Sequence, residues 1–132
     1  MKQYLLLLAL IIVSCSSSED KNVCIDDACI DGEWRWLESS GSIAGITINP
    51  QTEMLSRKLV IDETKYTEIV NNNIVLETEY EYVKSGELSG FNRDSLVLKL
   101  TTGNWYVVYL ENDTLELIEP CFDCWSHRYV QE

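Results

Sequence analysis

The chain has 132 residues, of which 22 are acidic and 10 are basic, so its formal net charge at pH 7 is −12. This length suits a single domain, and the strong negative charge excludes a nucleic-acid-binding protein, which needs a basic surface. The same charge repels anionic lipid, so any attachment to a membrane must come from something other than the protein surface.

The first fourteen residues have the pattern of a secretory signal. Lys2 provides a short basic start, residues 5–13 are apolar but too few to span a bilayer comfortably, and the small residue Ser14 precedes Cys15. The polar and acidic segment 16–20 argues against a transmembrane anchor, which carries a positive flank. We therefore predict a signal peptide over residues 1–14, followed by an acidic tether over 15–30.

Residues 12–15, Ile-Val-Ser-Cys, resemble the lipobox of bacterial lipoproteins. In such proteins the cysteine takes a diacylglyceryl group and becomes the new N-terminus. The resemblance implies that Cys15 is lipidated and holds the protein on a membrane through several acyl chains. Glu19 and Asp20 are similar to acidic residues that follow the lipidated cysteine in some Gram-negative lipoproteins. We expect the outer membrane of a Gram-negative envelope, on its periplasmic face or at the cell surface; an ordinary signal peptide with an incidental cysteine is the alternative.

Four further cysteines follow, and an even number in an exported protein predicts two disulfides. They are Cys24, Cys29, Cys121 and Cys124. A zinc site with four thiolates is one alternative, which an oxidising compartment disfavours. A redox-active pair at 121–124 is another, but Pro120 and the strand-like residues 128–130 indicate a turn between strands instead of a helix start. We predict structural disulfides, no metal site and no cofactor.

The rest of the chain reads as strands joined by short turns. Residues 94–100 alternate between apolar and polar, and turn signals such as Asn71-Asn72-Asn73 and Asn112-Asp113 separate the apolar runs. The sequence predicts no helix of three turns. It predicts eight strands, over residues 34–39, 57–61, 65–70, 74–83, 94–100, 105–110, 114–118 and 126–131.

Eight successive antiparallel strands with short links predict an all-β domain over residues 31–132, either an up-and-down barrel or a sandwich. Two irregular segments interrupt the series. The first, residues 41–50, contains glycines and apolar residues, and we expect those apolar residues to be buried in a lid over one mouth of a barrel. The second, residues 84–93, is polar and predicts a flexible connection.

In a closed barrel the first strand pairs antiparallel with the last. Cys29, which precedes the first strand, then lies at the opposite end from Cys124, which precedes the last. Strands of this length separate the two ends by roughly 20 Å, whereas the Cα atoms of bridged cysteines lie within about 7 Å of each other. We therefore predict two local disulfides, Cys24–Cys29 and Cys121–Cys124.

Residues 32–34, Gly-Glu-Trp, resemble the Gly-x-Trp that opens the first strand of lipocalins, and a glycine-bearing loop follows. Together with the lipobox and the eight strands, these residues make the chain from Gly32 onward similar to small lipocalin-like lipoproteins of Gram-negative bacteria. Lipocalins generally bind small apolar molecules inside the barrel, so the resemblance implies that function here, with Trp34 closing the barrel base. The chain departs from the family in having shorter strands and little room for a helix beside the barrel.

Five aromatic residues are candidates for contact with a ligand, because we expect them to project inward: Trp36, Tyr80, Tyr82, Trp105 and Tyr109. Packing of the core is the alternative role, since large aromatic side chains fill small barrels.

No catalytic set of residues is recognisable. His127 is the only histidine, and no serine or free cysteine can be placed beside it from the sequence. We predict that the protein is not an enzyme and that it is a membrane-anchored lipoprotein binding a small apolar ligand. The alternative is an interaction, inhibitor or accessory lipoprotein that has a filled barrel and binds a protein partner. A large aromatic-lined cavity would favour the first function, whereas a filled interior with an exposed apolar patch near residues 43–48 would favour the second.

Overall fold

The computed structural model describes residues 24–25, 28–84, 96–121 and 123–132. The predicted signal peptide, Cys15, most of the tether and most of the connection 84–93 lie outside these residues. The elements of the described part are β1 (Cys24–Ile25), β2 (Ala28–Cys29), β3 (Gly32–Gly41), β4 (Ile46–Ile48), α1 (Pro50–Glu53), β5 (Arg57–Ile61), β6 (Lys65–Val70), β7 (Asn73–Lys84), β8 (Leu96–Leu100), β9 (Trp105–Glu111), β10 (Thr114–Ile118) and β11 (Ser126–Gln131).

Eight of these strands, β3 and β5 to β11, form a closed antiparallel barrel. Each strand from β5 to β11 pairs with the next in the chain, β5 also pairs with β3, and β11 closes the barrel on the other edge of β3. The prediction of an all-β, eight-stranded, up-and-down barrel is confirmed. The strand bounds lie within two residues of the predicted ones at every position.

Short turns set the register of the barrel. Asn71 and Asn72 both have positive φ, as a two-residue hairpin turn matched to strand twist requires. The carboxylate of Asp62 accepts hydrogen bonds from the backbone N–H groups of Thr64 at 2.9 Å and Lys65 at 2.8 Å. These bonds fix the turn between β5 and β6 and lower the pKa of Asp62.

The barrel has two ends. At the first, here called the Gly32 end, β3 begins beside the last residue of β5, Ile61. At the second, the Gly41 end, β3 finishes opposite the start of β11, where Ser40 pairs with Ser126. The turns 101–104 and 119–125 also lie at the Gly41 end, because the strands alternate in direction.

Segment 41–50 differs from the expectation of a buried apolar lid. β4 pairs with the last three residues of β3, and Asn49 caps the single turn of α1 through Gln51 and Thr52. The pairing and the cap hold the segment in place without burying its apolar residues: Ile43 is 89% exposed and Ile46 is 48% exposed. The expectation that these side chains are buried is therefore wrong, although Ile48 packs partly against the core.

The buried core is built from inward-facing residues of seven barrel strands, and β7 packs partly buried side chains against it. Trp34 is only 1% exposed, and its indole N–H donates to the carbonyl oxygen of Ile30 at 2.8 Å. Ile30, which the sequence places in the tether, is itself fully buried in this core. The buried cluster consists of Ile30, Trp34, Trp36, Leu59, Ile61, Tyr66, Leu98, Leu100, Tyr106, Val108, Leu115, Leu117 and Tyr129.

A disulfide joins Cys121 and Cys124, whose Cα atoms lie 5.3 Å apart in the link between β10 and β11. This pairing confirms one of the two predicted bridges and rules out a zinc site that uses these two thiolates. Cys29 is also disulfide-bonded, and its Cα lies opposite that of Cys24 in the small hairpin of β1 and β2. The Cys24–Cys29 bridge stays a prediction, which this register supports.

Candidate functional site

The structure divides the five aromatic candidates into two groups. Trp36 is buried in the core, and Tyr80 and Tyr82 pack partly against it. Trp105 and Tyr109 face away from the core, so their predicted inward orientation is wrong.

The reason lies in the alternation of β9. Tyr106 and Val108 belong to the buried cluster, so the alternate positions of the strand point outward. Tyr109 is 44% exposed, and the ammonium group of Lys99 lies 5.8 Å from the ring centroid of Trp105. On this strand Tyr106 is the aromatic residue that faces the interior, and the sequence reasoning missed it.

A chain of polar contacts runs from the core to the Gly41 end. The indole N–H of Trp36 donates to Ser39 Oγ at 2.9 Å, and Ser39 Oγ lies 2.7 Å from His127 Nδ1. Ser39 Oγ has two acceptor lone pairs and one donor hydrogen, so it can accept from Trp36 and still donate to His127 Nδ1 or accept from it, according to the tautomer of the ring. Nε2 lies 3.6 Å from Glu119 Oε1.

Two more charged residues border this chain of contacts. The guanidinium group of Arg57 lies 5.0 Å from the centroid of a Trp36 ring, and its buried Nε has no hydrogen-bond partner among the residues that the structure describes. The carboxylate of Glu68 accepts a hydrogen bond from the hydroxyl group of Tyr66 at 2.9 Å. The interior of the Gly41 end is therefore polar and aromatic. Trp34 and Ile30 are buried toward the Gly32 end, where Tyr80 donates its hydroxyl to the carbonyl oxygen of Asp62.

A cleft of about 490 Å³ opens beside this polar interior. It lies between the β8–β9 turn and the link that carries the disulfide. Burial raises the pKa of Tyr106, which lines it, to about 12, so this hydroxyl remains protonated at neutral pH. The lining residues are Gly103, Asn104, Trp105, Tyr106, Glu119 and Pro120.

The side chain of Glu119 is held firmly at this cleft. Its Oε2 accepts the backbone N–H of Trp125 at 3.3 Å, and its backbone N–H donates to the carbonyl oxygen of Trp125 at 3.0 Å. The link also packs closely on β3: a Cβ added at Gly41 would lie 2.7 Å from the carbonyl oxygen of Cys124. Only glycine allows this approach of two backbones without a shift.

The order Ser39, His127, Glu119 resembles the contacts of a nucleophile, a base and an orienting acid, but the geometry does not suit catalysis. Ser39 is completely buried, and its oxygen is engaged by both Trp36 and His127. A substrate has no approach to this hydroxyl. Ser39 and His127 instead form a hydrogen-bonded pair, and the His127 ring lies beside Glu119.

We expect the free energy of unfolding to fall as the pH drops below about 6.5. Burial lowers the pKa of His127, Arg57 contributes to the lowering, and Glu119 opposes it. The unfolded chain therefore takes up this proton at a higher pH than the folded chain, and the loss amounts to at most about 1.4 kcal/mol per pH unit.

Urea denaturation at pH 5 to 8 measures this dependence. Because His127 is the only histidine, His127→Gln removes its contribution, and the difference between the two proteins isolates it from the carboxylates. An equal slope in both proteins between pH 5 and 7 would contradict the assignment.

Within the described ranges, no group of three or more His, Cys, Asp or Glu side chains is arranged to hold a metal ion. The helix found in this part of the chain is neither long nor apolar enough to cross a membrane. Comparisons of the chain with family models, curated proteins and solved structures found no match.

Proposed function

We propose that this protein is a lipid-anchored, lipocalin-like binding module of the Gram-negative cell envelope, and that it is not an enzyme. It binds a small, largely apolar molecule in the cleft at the Gly41 end. The lipobox-like residues before Cys15 support the anchor, and the Gly-x-Trp at 32–34 with the closed barrel supports the family.

The observation that carries the binding site is the aromatic-lined cleft at the Gly41 end of a filled barrel. The centre is occupied by large side chains, among which Trp34, Trp36, Tyr66 and Tyr129 are each at most 1% exposed. A ligand therefore fits better at an end than in the middle. The Gly41 end has the aromatic-lined cleft, and its volume suits a small organic molecule.

A neutral apolar dye, N-phenyl-1-naphthylamine, tests this proposal. We expect its fluorescence to rise on binding and to saturate at one dye per chain. Trp105→Ala removes an aromatic wall of the cleft and should weaken binding about fivefold or more. Tyr109→Ala is the matched control, because it removes an outward aromatic side chain of the same strand that does not line this cleft. Non-saturable binding, or equal weakening by both variants, would contradict the proposed site.

A protein partner is the second candidate, and one specific observation favours it. Among the described residues, five of the six exposed large hydrophobic side chains lie in turns and strand ends at the Gly41 end: Ile43, Ile46, Met54, Ile74 and Val75. Segments 42–56 and 69–76 contain a single charged residue, Glu53, in a protein of net charge −12. Such a charge-depleted apolar patch fits a partner with an apolar centre and a basic border.

A further inference from the structure

We propose that the molecule bound in the cleft at the Gly41 end carries an organic cation, such as a quaternary or primary ammonium group, which binds between Glu119 and the aromatic side chains of the cleft. This inference rests on the proposed function, since it names the chemical class of that ligand.

The first argument is the uncompensated charge of Glu119. Elsewhere in the described part of the chain, ion pairs with lysine or arginine compensate five other glutamates: Glu33, Glu38, Glu77, Glu81 and Glu132. Among the described residues, the ionisable side chain beside the carboxylate of Glu119 is His127, whose Nε2 lies 3.6 Å from Oε1. Burial lowers the pKa of His127, so at neutral pH this ring carries no positive charge that would compensate the carboxylate at the edge of the cleft.

The second argument is the fixed position of this carboxylate. The backbone N–H of Cys121 donates to the carbonyl oxygen of Glu119 at 2.9 Å, and the Cys121–Cys124 disulfide closes the same link. With the contacts to Trp125, these bonds hold Glu119 from both sides. The Glu119 side chain is about one-third exposed, so a ligand can reach it without a rearrangement of the link.

The third argument is the aromatic lining. Trp105 and Tyr106 contribute to the walls of the cleft, and the face of an aromatic ring attracts cations because its π-electrons carry negative charge. The ammonium group of Lys99 already lies over Trp105. Its charge is balanced by Glu81 at 2.7 Å, so it does not neutralise Glu119.

The charge of the whole protein acts in the same direction. A net charge of −12 raises the local concentration of small cations and repels anions at low ionic strength. A cleft with one carboxylate, an aromatic lining and no described lysine or arginine among its lining residues thus selects a cation over an anion or a neutral molecule.

A comparison of choline with its neutral isostere, 3,3-dimethyl-1-butanol, tests the charge directly. Titration is followed by tryptophan fluorescence at low salt. We expect choline to bind about tenfold more tightly than the alcohol, and Glu119→Gln to remove this difference. Glu63→Gln is the matched control: it changes the net charge equally, but its exposed side chain lies in the turn at the Gly32 end.

Each outcome separates this inference from the proposed function. Equal affinity for choline and the alcohol, with both depending on Trp105, would overturn the cation while leaving the binding site intact. Absence of binding by choline, the alcohol and the naphthylamine dye would overturn both. Equal loss in Glu63→Gln and Glu119→Gln would show a general charge effect and overturn the inference. If Glu119→Gln fails to fold, Glu119→Asp replaces it as the variant of this residue that keeps the negative charge. The site is then tested with Trp105→Ala: a choline affinity that this variant leaves unchanged would overturn the site.

Discussion

Replacement of Trp34 by alanine is expected to lower the free energy of unfolding by about 3–5 kcal/mol. The side chain is 1% exposed and contacts the core at the Gly32 end, so its removal leaves a cavity that the barrel cannot close. The change also removes the N–H donor to the carbonyl oxygen of Ile30. Urea denaturation followed by circular dichroism measures the loss.

Two further variants separate packing from hydrogen bonding. Trp34→Phe keeps most of the volume but leaves the carbonyl oxygen of Ile30 without its partner, so we expect an intermediate loss of about 1–3 kcal/mol. Tyr109→Ala removes a 44% exposed side chain from the outer face and should cost less than about 1 kcal/mol. A loss in Trp34→Ala no larger than that in Tyr109→Ala would contradict the structural role of Trp34.

Replacement of Cys15 by alanine is expected to abolish lipid attachment. In lipoproteins the cysteine thiol forms the thioether with the diacylglyceryl group, and a protein of net charge −12 is repelled by anionic lipid. The variant should remain uncleaved or appear in the soluble fraction when membranes are sedimented, whereas the native protein should be labelled by radioactive palmitate.

Ser16→Ala is the control for this variant, because it changes the adjacent residue and leaves the thiol in place. It should be cleaved, labelled and sedimented like the native protein. Full partition of Cys15→Ala with membranes, together with cleavage at the normal position, would contradict lipidation at Cys15.

The strands of the barrel follow from local patterns. Period-2 alternation in residues such as Leu96, Leu98 and Leu100 and turn signals such as Asn71-Asn72 are short-range properties, so the strand bounds and hairpin order can be predicted from them. The local Cys121–Cys124 bridge follows from the same hairpin order. These features require no knowledge of which distant residues meet.

The face of a side chain is less predictable where both faces of a strand are apolar. On β9 the run Trp105 to Leu110 is apolar or aromatic throughout, so nothing in its pattern shows which set points inward. Pairing with β8 decides this, because Leu98 and Tyr106 are directly opposite each other and both face the core. Trp105 and Tyr109 are therefore outside.

The contact of Ser39 with His127 depends entirely on barrel closure. Ser39 and His127 are 88 positions apart in the chain and meet because β11 pairs with β3. A register shift in that pairing, between Arg128 and Tyr129, lies next to this contact. Local patterns report which residues are strand-like, but the bulge and the closing register are set by the packing of the whole barrel, and these bring Trp36, Ser39, His127 and Glu119 into one chain of contacts.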